Sequence, residues 1–215
     1  MKKYYPMMVD INGLRCLVVG GGKVAERKTR GLLDAGALVT VVSPKLTPQL
    51  TQWADTGEIE WRHRLYRRED HEGCRLVIAA TDQTEVNVQI RHEADARGQW
   101  VNVIDRPELC TFTVPATVTR GKLCIAVSTG GASPSLAQTI RDQLASMYGE
   151  EYELHLELLQ EMRGIIQQRV PVPKERYQLV KELAGEEWLE ECRANPEKVR
   201  SKMYQWLDHA LSPQT

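Results

Sequence analysis

The chain has 215 residues, 28 of them basic and 29 acidic, for a formal net charge of −1; that is long enough for one large domain, or one domain with a smaller helical companion. The even balance excludes a global pull onto nucleic acid or an anionic membrane, so any anionic ligand has to be met locally. Its longest apolar runs, such as Leu76–Ala80 and Leu123–Val127, fall far short of the roughly 20 residues that span a bilayer.

In chain order, Cys16–Gly20 reads as a buried strand, glycines fill 20–22, and Val24–Leu33 reads as a helix. That helix ends at Asp34-Ala35-Gly36, with Gly36 suited to the left-handed position past a helix terminus. Leu38–Ser43 is a second, β-branched strand stopped by Pro44, and Glu58–Arg62 is a weaker third. Arg75–Ala80 is a fourth strand, whose continuous apolar character suits burial on both faces. A helix capped by Thr84 then runs to Arg97 and stops at Gly98, and Trp100–Ile104 is the fifth strand. This alternation predicts an α/β fold, a Rossmann-type doubly wound parallel sheet with right-handed connections.

From residue 111 the pattern changes. Thr111–Val114, Thr117–Thr119 and Lys122–Ser128 read as strands around an Arg120-Gly121 turn that no βαβ crossover explains, a segment suited to covering a sheet edge or pairing with a second chain. Ser133 as cap and Pro134 at the first helical position start a helix to Met147. The remainder is helical, with breaks at Pro171-Val172-Pro173 and Asn195-Pro196. The expected division is a dinucleotide-binding domain over 1–113, a small β/α dimerisation segment over 114–148 and a helical domain over 149–215.

Between the first strand and the first helix, Gly20, Gly22 and Ala25 occupy the three positions of the dinucleotide fingerprint G-x-G-x-x-A. The first allows a tight turn, the second lets a pyrophosphate approach the main chain, and the third permits close helix–strand packing above free helix-start amides. At the end of the second strand, where an acid commonly holds the ribose diol, stand Ser43, Pro44 and Lys45. Serine suits either ribose hydroxyl and Lys45 suits a 2′-phosphate, so NAD and NADP both stay open there. After strand four, Thr81 and Asp82 read first as helix caps. After strand five, Asp105 is a carboxylate placed to act on a nicotinamide-bound substrate, or else a turn cap beside Pro107. Ser128–Pro134 is a second glycine-and-hydroxyl loop leading into a helix start, suited to an anion or to a plain connection.

The five cysteines are scattered and odd in number, and the five histidines lack ligand spacing, so neither a disulfide framework nor a metal site is expected. The opening MKKYYPMMVDI has no sustained apolar segment or cleavage site of a secretion signal. The expected location is the cytoplasm.

The segments GGGKVAERK (20–28), VVSP (41–44), AATDQTEVN (79–87), NVIDRPELCTFTVPA (102–116) and AVSTGGASPSLAQTIRDQL (126–144) resemble the precorrin-2 dehydrogenase / sirohydrochlorin ferrochelatase family of sirohaem synthesis, found alone or fused to a methyltransferase. The resemblance implies NAD-dependent oxidation of precorrin-2, a tetrapyrrole, to sirohydrochlorin, an intertwined homodimer, and in some members ferrous iron insertion at the same site. It places the essential aspartate on Asp105. Its nucleotide contacts fall on Gly22, Lys23 and Val24, on Ser43 to Lys45 and on Thr81, and its hydroxyl-bearing active-site loop on Ser128 and Thr129. Family members often have two serines in that loop; here the second is Thr129. Arg106, Arg120, Lys122 and Arg141 are candidate counterions for the substrate carboxylates, each also readable as a solvated surface charge. A nucleotide-sensing regulatory Rossmann module and a chelatase without dehydrogenase activity are the competing readings.

Overall fold

The computed structural model describes residues 4–212. The chain divides into two compact units, Met1–Val114 and Pro115–Thr215.

The first unit contains β1 (Arg15–Val19), α1 (Lys23–Asp34), β2 (Leu38–Val42), α2 (Pro48–Asp55), β3 (Ile59–Arg62), β4 (Leu76–Ala79), α3 (Thr84–Ala96) and β5 (Trp100–Val103). The strands form a parallel sheet in the order β3-β2-β1-β4-β5, with Val18 of β1 beside Val41 on one side and Ile78 on the other. Successive strand residues face opposite sides, and the two faces are buried in separate cores. Cys16, Val18, Val39, Val41 and Ile78 pack with Ala25 and Leu50 on one side, while Leu17, Val19, Val42, Val77 and Ala79 pack with Ile90 and Val101 on the other. Burial on both faces explains the uninterrupted apolar strands.

Three local expectations change. Helix α2 was not anticipated, although Thr47-Pro48 carries its start signal: the Thr47 hydroxyl accepts from Leu50 N–H at 3.3 Å, Pro48 is at the first position, and Leu50 and Trp53 are buried. Thr84 does not cap α3; the cap position is Gln83, whose side chain makes no capping bond. Thr111–Val114 is not a strand. Thr111 doubles back on β5, its N–H donating to Val101 O at 2.8 Å and its hydroxyl accepting from Val101 N–H at 2.7 Å, and Phe112 O accepts from Asn102 Nδ2 at 3.1 Å. Gly36 takes its left-handed conformation, with φ 74°.

At the end of β3 a buried carboxylate ties the following loop to the sheet. Asp70 accepts from Arg64 at 2.6 and 2.9 Å, from Arg62 at 2.7 Å and from Arg67 N–H at 2.8 Å. Burial by itself raises this carboxyl, but the two guanidiniums and the amide outweigh it and lower it from 3.8 to about 2. A lowered carboxylate adds stability above its ordinary pKa, and that stability is lost as pH falls through the folded value. We expect urea denaturation of the chain to show a loss on the order of 2 kcal/mol between about pH 4 and pH 2, and Asp70→Asn to flatten that dependence.

The second unit begins with the antiparallel pair β6 (Ala116–Arg120) and β7 (Leu123–Val127), followed by α4 (Pro134–Met147). Helices α5 (Glu151–Arg169), α6 (Pro173–Leu183), α7 (Glu186–Ala194) and α8 (Val199–Ala210) follow. They share a core of Leu158, Met162, Ile166, Leu183, Met203 and Leu207. No helix among the described residues is long and apolar enough to cross a membrane.

Candidate active site

The strand order reverses about β1, which lies between β2 and β4. In an open parallel sheet the ligand crevice lies beyond the carboxyl ends of the strands at this reversal. The glycine turn sits there.

Each glycine of the turn answers a different constraint. Gly20 has φ 122°, and a Cβ on it would stand 2.2 Å from the Ala80 carbonyl oxygen. On Gly21 a Cβ would stand 1.8 Å from the Lys45 carbonyl oxygen. The protein's own chain therefore excludes side chains at 20 and 21. A Cβ on Gly22 would meet nothing within 4 Å. Gly22 is the cap position of α1, with φ −86° and no side-chain bond to the first-turn amides. Those amides, on Lys23, Val24 and Ala25, carry the positive end of a 12-residue helix. Open space plus uncapped amides fits a diphosphate. Ala25 is fully buried in the core, the close packing expected of the third fingerprint position.

Around this turn the predicted contacts have internal tasks as well. The Ser43 hydroxyl donates to Lys45 O at 2.7 Å and accepts weakly from Lys45 N–H at 3.4 Å. Its proton is thus committed to shaping the 43–45 turn, which leaves acceptor capacity for a ribose hydroxyl. Pro44 and Lys45 are exposed beside it. The Thr81 hydroxyl donates to Asn87 Oδ1 at 2.8 Å and accepts from Gln83 N–H at 3.2 Å.

Asn87, buried on α3, went unremarked in the sequence and holds this loop. Its Oδ1 accepts from Thr81 N–H at 3.3 Å, and its Nδ2 donates to Thr81 O at 3.0 Å. An asparagine three residues into a helix has no local signature for this task. Truncation would leave Thr81 backbone groups unpaired, so Asn87→Ala is expected to weaken NAD binding by roughly tenfold, read by calorimetric titration.

Beyond β4 and β5 lies a hollow of about 220 Å³ bordered by Thr81, Asp82, Asn87, Asp105, Arg106 and Leu109. Asp105 has φ 58°, the one non-glycine residue with positive φ among those described. Its turn is closed by Arg106 N–H donating to Val103 O at 3.4 Å. Left-handed backbone at this position normally selects glycine or asparagine. An aspartate here stores strain of the kind that clusters at functional sites. The carboxylate is exposed and makes no hydrogen bond or ion pair among the described residues. Arg106 pairs with Glu108.

The other predicted substrate residues lie in the second unit. Ser128 Oγ accepts from Gly130 N–H at 3.2 Å, and Thr129 Oγ1 donates to Ser133 O at 3.0 Å and accepts from Ser133 N–H at 3.1 Å. The Ser133 hydroxyl caps α4 by accepting from Leu136 N–H at 3.2 Å. Arg120 pairs with Glu150 at 3.2 Å, Arg141 with Asp142 at 2.7 Å, and Lys122 with Gln160. Each of these basic groups therefore already has a partner within the chain. No group of three or more His, Cys, Asp and Glu among the described residues is placed to hold a metal ion.

A parallel sheet in this order, with a bare amide turn at its reversal point, defines a dinucleotide-binding Rossmann protein. A family model for NAD(P)-binding domains matches residues 7–116, and the model described as sirohaem biosynthesis protein central matches residues 120–147. The chain belongs to the NAD(P)-binding family of the first model, joined to the central segment of sirohaem-biosynthesis proteins. Among its relatives, "Siroheme synthase" of Nitrosococcus oceani is 43% identical over 168 residues, covering 78% of this chain and 36% of that protein. "Siroheme synthase 2" of Yersinia pseudotuberculosis is 36% identical over 205 residues, covering 94% of this chain and 42% of that one. The chain thus spans well under half the length of these relatives. The solved structure "SirC, precorrin-2 dehydrogenase" is 28% identical with a TM-score of 0.81, covering 96% of this chain and 100% of that one.

Proposed function

We propose that the chain oxidises precorrin-2 to sirohydrochlorin with NAD as the acceptor. The observation that carries this reading is Asp105, an exposed carboxylate with no hydrogen bond or ion pair among the described residues, on a left-handed turn bordering the hollow at the carboxyl end of β5. A nucleotide sensor has no use for a strained acid there. The full-length likeness to a protein titled precorrin-2 dehydrogenase supports the choice of substrate.

Precorrin-2 has a hydride to give from a bridge carbon and a proton to lose from a ring nitrogen, and extended conjugation drives both. NAD, when bound, supplies the hydride acceptor. The residues that would hold it are Gly20, Gly22, Lys23, Val24 and Ala25 at the phosphates, and Ser43, Pro44, Lys45 and Thr81 around them. Asp105 takes the ring-nitrogen proton or stabilises the cation left by hydride loss. Ser128, Thr129, Arg106, Arg120, Lys122 and Arg141 serve the carboxylate-rich substrate. In this reading the protein works in the cytoplasm as a homodimer. Supporting a dimer, β6 and β7 form a two-stranded sheet whose outer edges are unpaired among the described residues.

Adding precorrin-2 to protein and NAD should raise the NADH absorbance band. Nucleotide binding without that rise would favour a sensor. Iron insertion into sirohydrochlorin in the absence of NAD, with no NADH formed from precorrin-2, would favour a chelatase.

A further inference from the structure

We infer that Cys110 is a positioning residue for Asp105, its sulfur tying together both ends of the turn that carries the carboxylate. This rests on the reading of Asp105 given above.

Cys110 is 5% exposed and stands seven residues beyond Val103, just past a short 3₁₀ turn at Pro107–Leu109. Its sulfur accepts from Val103 N–H at 3.2 Å, and its thiol donates toward the carbonyls of Val103 at 3.2 Å and Arg106 at 3.4 Å. Asn102 Nδ2 also points at the sulfur, at 3.6 Å. Val103 and Arg106 are the first and last residues of the turn in which Asp105 is left-handed. One side chain therefore fixes both ends of a four-residue turn whose third residue is held against its own backbone preference.

The chemistry favours sulfur over oxygen. The Cβ–S bond is longer than Cβ–O, and sulfur's hydrogen bonds are longer and less directional, so one thiol reaches acceptors on both sides. A serine hydroxyl makes shorter bonds and reaches only one of them well. Apolar replacements of similar size keep the packing and lose every polar tie. A free buried cysteine usually behaves as a small hydrophobe; four polar approaches to a single sulfur set this one apart.

If the ties hold the carboxylate in place, releasing them lets the turn relax and moves Asp105 away from its working position. Misplacement of a reacting group slows chemistry steeply while leaving binding at other sites alone. Cys110→Ala and Cys110→Val are expected to lower kcat roughly tenfold, with Kd for NAD within about twofold of the parent. Cys110→Ser is expected to recover part of the loss.

The decisive measurements are a double-mutant cycle and carbon NMR shifts. In an Asp105→Asn background, Cys110→Ala should add no further loss of kcat. A full additional loss there would overturn the inference, because Cys110 would then act by another route. Independently of activity, the Asp105 Cα and Cβ shifts, which report its left-handed backbone, should change in Cys110→Ala. Unchanged shifts would also overturn it. If Asp105→Asn is itself fully active, the functional reading of Asp105 fails, and the NMR comparison still decides whether Cys110 sets its conformation.

Discussion

Asp105→Asn is expected to reduce turnover with precorrin-2 by about three orders of magnitude while leaving NAD affinity nearly unchanged. The size follows from removing a positioned proton acceptor or charge stabiliser, typically worth about 10²- to 10⁴-fold. Asparagine is the clean replacement, since it keeps the shape and tolerates left-handed backbone, whereas Asp105→Ala combines loss of the carboxylate with a methyl at φ 58°. Asp105→Gly completes the set: it removes both the acid and the backbone strain, so its thermal midpoint should match or exceed that of Asp105→Ala, with turnover lost in both. Stopped-flow measurement of NADH formation beside calorimetric titration of NAD separates the outcomes. Parallel losses of turnover, nucleotide affinity and thermal stability would make Asp105 a folding residue.

Gly22→Asp should abolish NAD binding, with affinity lowered by at least about a hundredfold, without unfolding the protein. The space is open and φ is −86°, so the side chain itself is accommodated. A carboxylate at the cap position would accept from the first-turn amides of α1 and place negative charge where the diphosphate belongs. The thermal midpoint is therefore expected to hold or rise. Alanine at the neighbouring glycines should do the reverse. Gly20→Ala and Gly21→Ala drive a Cβ to 2.2 and 1.8 Å from backbone oxygens, so both are expected to lose stability before ligand binding is considered. Normal NAD affinity in Gly22→Asp would show that the diphosphate does not rest on this turn.

The contrast between these glycines marks the limit of the fingerprint. Read as a string, 20–22 suggests a ligand pressed against the whole run, yet the neighbours that exclude side chains at Gly20 and Gly21 are Ala80 and Lys45. Sixty residues separate Gly20 from Ala80, and only the parallel register of β1 with β4 brings them together. The same holds for Ser43: its type and place at the end of β2 were legible, but not the bond to Lys45 that occupies its proton. Helix α2 was missed for another reason. Its Thr47-Pro48 start signal was present, but the Pro44 stop before it and a helix of only eight residues left little periodicity to read.

What one chain of letters carries reliably is what short-range physics writes into it. Uninterrupted apolar runs at 16–19 and 76–79 mark doubly covered strands, G-x-G-x-x-A marks a helix start open to phosphate, and the motifs around Asp105 mark the family. These signals depend on residue type and spacing alone. The left-handed Asp105, the Asn87 brace and the four approaches to the Cys110 sulfur belong to the folded state. Each is a contact or a strain that exists only once the strand ends are side by side, because backbone φ at a turn and the partner of a buried polar atom are imposed by packing.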